Sequence, residues 1–442
     1  MELQVALSNL VDFRIHVYGS FTFRADVLFE LVEAILLTPI IRCAVEVSQS
    51  CVFRRGFASV YDGLRHAKID QDTLRKALIA AEPPDAATVA GFAIYAIDTT
   101  PALRPDAETV RERTKVYSAE HERAIPGHQF SWLGRPIAWG QSWFAPRDVR
   151  RVPASSKAVE VAAQQVKRLA EDAQPTDAKA VVVDSHYPQP SFLRAFVGLA
   201  PRVVLLARLG CNRVLYSAPP PRTGRPGRPR VHGEKLRLQA PRKPDRQETF
   251  LLRGEQVRVG AWFNQHFRAV PELVGMAVRV EYLKADGTPR YKRPLWLFWS
   301  GPQDSALADL VQMYRLRFVI EHFFRFLKQR LALLAARVTD LGAIETWVWG
   351  VALAYWQLLL ARQLVKPSYR PWDPTARQDP NRPLTPGQVL TSWPGFSRGL
   401  EQLTVAPRPA GKAPGRAAGF RPKPRPRYPV PKAQGKKAKP AA

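Results

Sequence analysis

Three acidic residues stand where carboxylate chemistry could be done. Asp98 ends the apolar run Phe92-Ala93-Ile94-Tyr95-Ala96-Ile97, and Asp184 ends Ala180-Val181-Val182-Val183. Continuous apolar runs of this kind suit strands buried on both faces, and residues at the carboxyl ends of such strands are well placed for sites in α/β folds. The plainer alternative for either aspartate is a turn or a helix cap. The third acid, Glu321, falls within Asp304–Arg330, whose pattern predicts one long helix. At ~100° per residue from Tyr314, Arg317 lies at about −60°, Glu321 at about −20° and Lys328 at about −40°. A phenol, a carboxylate and two cations thus share one stripe, with Phe323, Phe324 and Leu327 around it. That is a poor core stripe and a good surface for a metal ion and a phosphodiester backbone. The alternative is an exposed salt-bridged face, because Arg317 and Glu321 are i, i+4 neighbours.

The elements that must hold these residues read as α/β. Residues 1–88 are mostly helical, with Ala25–Leu37 apolar and two short helical patterns at Ser59–Ala67 and Asp70–Leu78. Arg54, Arg55, Arg65 and Lys68 give that region a basic face, which suits either a DNA-binding helix pair or an ordinary helical hairpin. After Pro83-Pro84, residues 89–209 carry the strands ending at Asp98 and Asp184, strand-like stretches at Gln129–Trp132 and Pro136–Phe144, a helix over Ser155–Asp172 and a third apolar strand at Arg202–Arg208. Residues 210–303 form a basic, β-rich insertion, with strands at Gln256–Trp262, Ala277–Tyr282 and Leu295–Trp299. Helices return over 304–400, and 401–442 is a basic tail.

Composition narrows the partners. The formal net charge is +28 and the pI about 10.5, so the surface seeks polyanions, nucleic acid first. Eleven Lys/Arg and no acid lie in Val405–Ala442, among Pro, Gly and Ala, which is the composition of a disordered segment. Cys43, Cys51 and Cys211 make an odd set without a C-x-x-C pair, which argues against a disulfide framework or a zinc knuckle and fits a reducing cytosol. The eight histidines show no metal-ligand spacing, and the N-terminus has no secretory pattern. The apolar stretch Trp347–Ala361 is shorter than the ~20 residues a span needs, so it reads as a buried helix, and no membrane partner is expected.

Within the insertion, Arg222-Thr223-Gly224-Arg225-Pro226-Gly227-Arg228-Pro229-Arg230 resembles an AT-hook, whose extended backbone lets arginines enter a narrow minor groove. Arg225, Arg228 and Arg230 are therefore DNA-binding candidates, although a flexible loop touching phosphate without preference is equally compatible. Trp262, Trp296 and Trp299 could stack on a flipped base or simply pack the core.

The spacing Y-x2-R-x3-E-x6-K, complete at Tyr314, Arg317, Glu321 and Lys328, resembles the signature around the last acid of a large group of DDE transposases from bacterial insertion sequences. Asp98 with Thr99 and Thr100, and Asp184-Ser185-His186-Tyr187, resemble that family's first and second acids. Arg104–Thr109, Gly127–Trp132 and Leu384-Thr385-Pro386 also resemble it, so the likeness spans roughly 10–400. The resemblance implies an RNase H-like mixed sheet with flanking helices, a β-rich insertion before the last catalytic helix, a helical N-terminal region and a disordered basic tail. It implies Asp98, Asp184 and Glu321 as catalytic metal ligands for Mg²⁺, with Mn²⁺ able to substitute, and Tyr314, Arg317 and Lys328 gripping DNA near the scissile phosphate. Such chemistry needs oxygen ligands rather than a His/Cys cluster. The expected activity is cut-and-paste transposition by hydrolysis and strand transfer, on terminal inverted repeats and target DNA, by a homodimer in the cytoplasm at the nucleoid. An inactive, domesticated DNA-binding protein and an RNase H-fold nuclease without strand transfer remain as alternatives.

Overall fold

A computed structural model of the chain describes residues 2–118, 121–138, 142–172, 177–221, 230–366, 383–408 and 415–430. The helical N-terminal region consists of α1 (Glu2–Gly19), α2 (Ala25–Leu37), α3 (Phe57–His66) and α4 (Gln71–Ala80), with the short strands β1 (Phe21–Phe23) and β2 (Lys68–Ile69) pairing between them. Asp70 starts α4 by accepting from the N–H groups of Asp72 and Thr73, which satisfies two donors the helix leaves open. Arg54 and Arg55 do not form a wet basic face. They turn inward onto the fully buried Glu30, at 3.1 and 3.0 Å, because an enclosed carboxylate must be paired. Arg65 and Lys68 are exposed.

The central sheet follows from the apolar runs. After β3 (Thr88–Val89) come β4 (Phe92–Leu103), β5 (Thr114–Ser118), β6 (Arg123–Pro136) and β7 (Phe144–Arg151), then α5 (Ala158–Glu171), β8 (Lys179–Val183), α6 (Pro190–Leu193) and β9 (Val203–Leu209). β6 runs antiparallel to both its neighbours β7 and β4, and β4, β8 and β9 are parallel, giving the order β7-β6-β4-β8-β9. That is the RNase H-like mixed sheet, with its parallel strands buried on both faces as their composition requires.

Two strand expectations need correction. Asp98 does not end its strand. β4 pairs with β8 only over Ala93–Ala96 and continues to Leu103 because β6 goes on supplying a partner opposite Asp98, Thr99 and Thr100. Asp98 therefore sits just past the point where the β8 side of β4 opens. Of the stretch Pro136–Phe144, Pro136 ends β6 and Phe144 starts β7, and the described residues between them, 137, 138, 142 and 143, belong to neither strand. The strand is Phe144–Arg151, whose charged sequence hides it: Arg147 pairs with Glu82, Arg150 with Asp148, and Arg151 with Glu112 and Glu345.

The insertion contributes β10 (Val214–Tyr216), β11 (Lys235–Arg237), β12 (Arg246–Leu252), β13 (Glu255–Phe267), β14 (Val270–Tyr282) and β15 (Leu295–Trp299). β15 pairs antiparallel with β9, Trp296 opposite Leu209, so the inserted strands extend the same sheet. Trp262, Trp296 and Trp299 are fully buried in it and pack the core, unavailable to a flipped base. Arg225 and Arg228 lie outside the described residues, and Arg230 is exposed.

The single helix expected over Asp304–Arg330 is two helices, α7 (Leu307–Leu316) and α8 (Val319–Gln329). At the join, the N–H groups of Arg317, Phe318, Ile320 and Glu321 reach back three residues instead of four, at 3.1–3.2 Å, as in a tightened 3₁₀ turn. The break has a packing cause. Leu310, Val311 and Leu316 of α7 join the core over β8 and β9, whereas Ile320, Phe323 and Leu327 of α8 join a different core. That second core is built on α9 (Leu341–Ala361), which buries nearly all its length between α2, α3 and β7. α10 (Pro386–Phe396) packs beside it. Among the described residues no helix is long and apolar enough to cross a membrane. The described tail residues, 401–408 and 415–430, carry no helix or strand.

Candidate active site

Asp98 and Asp184 come together through strand register. Ala96 lies opposite Val182 on the parallel pair β4–β8, so each aspartate follows two residues beyond a matched pair and they flank the same opening. The N–H of Thr99 donates to Asp98 Oδ1 at 2.8 Å, and the N–H of His186 donates to Asp184 Oδ1 at 2.8 Å, which fixes both carboxylates against their own backbone. Gln129 on β6 donates to the Thr99 hydroxyl at 2.8 Å and braces the β4 side. Tyr187 is buried beside the pair. Burial, and then the charges of Asp98 and Asp184, hold its phenol protonated far above the usual range.

Arg317 supplies the link to the third acid. It lies in the turn between α7 and α8, is 8% exposed, and donates from Nη1 to Asp98 Oδ2 at 2.8 Å and from Nη2 to Glu321 Oε1 at 3.1 Å. Burial opposes its charge, but Asp98, Tyr314, Asp184 and Glu321 outweigh that and raise its pKa. Burial pushes the Asp98 carboxyl up to about 6; Arg317 pulls the other way, and the neighbouring Asp184 adds to the rise. Glu321 opens α8 with its side chain 44% exposed. Tyr314 lies half-buried in the last turn of α7, its ring centroid 6.0 Å from the Arg317 guanidinium carbon. The helix break interrupts the expected continuous stripe, yet Tyr314, Arg317 and Glu321 remain neighbours. Lys328 lies seven residues beyond Glu321 on α8, ~10 Å along its axis.

Asp98 and Glu321 are thus joined through Arg317, and Asp184 lies near enough to act on the charges of Asp98 and Arg317. The link from Arg317 to Asp98, the bracing of Thr99 by Gln129 and the burial of Tyr187 beside the aspartates are the features sequence reasoning missed. Gln129 and Tyr187 stand within the family-like stretches, but nothing local marks their direction. As donors, three carboxylates suit a hard divalent cation. Among the described residues, no group of three His, Cys, Asp or Glu side chains is gathered closely enough to hold a metal ion. Arg317 occupies one carboxylate oxygen of Asp98 and one of Glu321, where a cation would bind. A cavity of about 440 Å³ lies elsewhere, between α4, α5, β7 and α9, and none of the three acids lines it.

Comparison with known proteins gives a family. The model of a family described as DDE superfamily endonuclease matches residues 16–266, a stretch that includes Asp98 and Asp184 and stops before Glu321. DDE endonucleases generally use divalent metal ions. No curated protein matches the chain. Among solved structures, the chain is similar to piggyBac transposase in a cryo-EM synaptic complex with hairpin DNA, at 9% identity and a TM-score of 0.41, covering 89% of this chain and 73% of that one.

Proposed function

We propose, on the premise that this chain belongs to the DDE superfamily endonucleases, that it is an insertion-sequence transposase that cuts element ends and joins them to target DNA. The observation that carries this reading is the meeting of Asp98 and Asp184 at equal register on parallel strands, with Glu321 tied to Asp98 through Arg317. A binding protein gains nothing from carboxylates turned toward phosphate, whereas phosphodiester transfer needs them.

Asp98, Asp184 and Glu321 would hold the divalent ion, Mg²⁺ with Mn²⁺ able to substitute. Bound there, the ion would supply activation of the attacking oxygen and stabilisation of the leaving oxygen. The N–H groups of Thr99 and His186 hold the two aspartates, and Gln129 braces Thr99. Arg317 balances the acids, and with Tyr314 and Lys328 it would grip the backbone beside the cut. Arg225, Arg228 and Arg230 would add minor-groove contacts from the insertion, and residues 1–88 would contribute to holding the inverted repeat. Synapsis of two ends calls for a homodimer, and the substrate places the work at the nucleoid in the cytoplasm.

The experiment is cleavage and strand transfer on DNA carrying the element's inverted repeats. Asp98→Asn, Asp184→Asn and Glu321→Gln should each abolish cleavage and leave DNA binding intact, since phosphate contacts come from Lys and Arg. Near-normal cleavage in any one removes that residue from the site. Cleavage by the wild type without joining would make the protein a nuclease of the same fold.

A further inference from the structure

The last described segment of the chain is a run of alternating cations and prolines, Arg421-Pro422-Lys423-Pro424-Arg425-Pro426-Arg427, closed by Tyr428. Proline at every second position fixes φ and favours an extended, semi-rigid backbone with cations ~6 Å apart along it. Such a segment has little apolar surface with which to bind the body of the protein, yet its end is held. The N–H of Tyr428 donates to the Glu108 carbonyl at 2.8 Å, and its own carbonyl accepts from Arg113 Nη2 at 3.3 Å. Its hydroxyl accepts from Arg111 Nε at 3.0 Å, with the Arg111 guanidinium carbon 5.2 Å from the ring centroid. Arg427 pairs with Glu108 at 3.2 Å.

Anchoring at Tyr428 sets Arg425 into a cleft of about 260 Å³ with Tyr61, Arg65, Arg337, Thr339 and Asp340 on its walls. Arg425 donates to the Thr339 hydroxyl at 3.3 Å. Three guanidiniums from three separate elements share this cleft with a single carboxylate, and Asp340 already caps α9 through the N–H of Ala343 at 2.9 Å. A positive strap lying on positive ground gains by a polyanion between them. The cleft is also joined to the elements that carry Asp98 and Glu321. Arg104 directly follows β4 and bonds the Ala336 carbonyl, and the loop holding Ala336 and Arg337 follows α8.

We infer that the tail segment Arg421–Tyr428 is a docked strap, and that the cleft it forms with Arg65 and Arg337 binds the phosphate backbone of duplex DNA beside the acidic site. The identity of the polymer rests on the transposase reading, but the binding itself does not depend on cleavage. Tyr428 is a positioning residue here: uncharged, it acts by placing Arg425.

The test is the salt dependence of binding of the full chain to a mixed-sequence duplex, by fluorescence anisotropy in EDTA. Removing one cation from the phosphate backbone flattens the slope of log K against log salt by about 0.9. Arg425→Ala, and Arg65→Ala with Arg337→Ala, should each flatten it by that amount for every cation removed. Tyr428→Ala should flatten it at least as much as Arg425→Ala although it changes no charge, and Tyr428→Phe, which keeps the ring under Arg111, should restore most of the wild-type slope. Circular dichroism melting confirms that each variant is folded. A wild-type slope in Tyr428→Ala, with flattening in Arg425→Ala, would mean that the tail binds DNA as a free chain and overturns the inference. Wild-type slopes in all variants overturn it too. A protein that keeps the Tyr428-dependent slope but never cleaves would count against the proposed activity alone.

Discussion

Arg317→Gln probes the site where its charges are least balanced, because it removes the cation set between Asp98 and Glu321 and keeps much of the side chain's length. The two interactions differ in worth. Glu321 is 44% exposed, so solvent screens its pair, and the loss there is under ~1 kcal/mol. Asp98 is 20% exposed, and a charge-assisted hydrogen bond to such a group contributes about 1.5–3 kcal/mol. The effect depends on pH in a definite direction. Asp98 has a folded-state pKa raised to about 6, so the folded protein holds that proton more tightly than the unfolded chain does. Stability from the protonated form is present at low pH and is lost as pH rises through the folded value. Without Arg317 the folded value climbs further, so the penalty for ionising Asp98 goes on growing at pH values where in the wild type it is already complete. Urea unfolding in EDTA should therefore show Arg317→Gln less stable by ~2 kcal/mol at about pH 8 and by under ~1 kcal/mol at about pH 5. An equal loss at both pH values, or none at the higher one, refutes Arg317 as the counter-charge of Asp98.

Three further outcomes follow from the same geometry. Cleavage should fall as pH drops through about 6, since Asp98 takes up a proton there and ceases to be an anionic ligand; a pH–rate profile flat to pH 5 would separate Asp98 from the chemistry. Lys328→Ala should weaken binding to nicked element ends several-fold and recover cleavage at saturating DNA, because Lys328 is ~10 Å along α8 from Glu321; a variant that binds normally yet stays inactive would place Lys328 in the chemistry. Glu30→Gln should destabilise the N-terminal region by about 3 kcal/mol in chemical unfolding, since it strips Arg54 and Arg55 of a shared, fully buried carboxylate; a loss under ~1 kcal/mol would show that those arginines are satisfied elsewhere.

Much of this protein was legible in the order of its residues. The buried runs before Asp98 and Asp184 marked inner strands, the apolar stretch now seen as α9 marked a buried helix, and the spacing of Tyr314, Arg317, Glu321 and Lys328 pointed to the segment where Arg317 meets Glu321. These are local signals: burial on both faces needs consecutive apolar residues, and a helix repeats its face every few positions. What stayed hidden depended on partners far along the chain. β7 is written in charges; it is a strand through its pairing with β6, and Glu82, Glu112 and Glu345 come from elsewhere in the chain to meet its arginines. Asp98 sits inside its strand, since β6 continues beside β4 after β8 has stopped. One predicted helix became two because the residues on either side of Arg317 belong to different cores. The pairing of Arg317 with Asp98 joins residues 219 positions apart, and so does not follow from helical spacing, which could relate Arg317 only to its neighbours Tyr314 and Glu321. Composition and periodicity marked the inner strands, the buried helix and the acids that could matter. Which strand lies beside which, where a helix must break, and which way a charge turns were decided by long-range packing, because only the assembled core sets which backbone partners and counter-charges lie within reach.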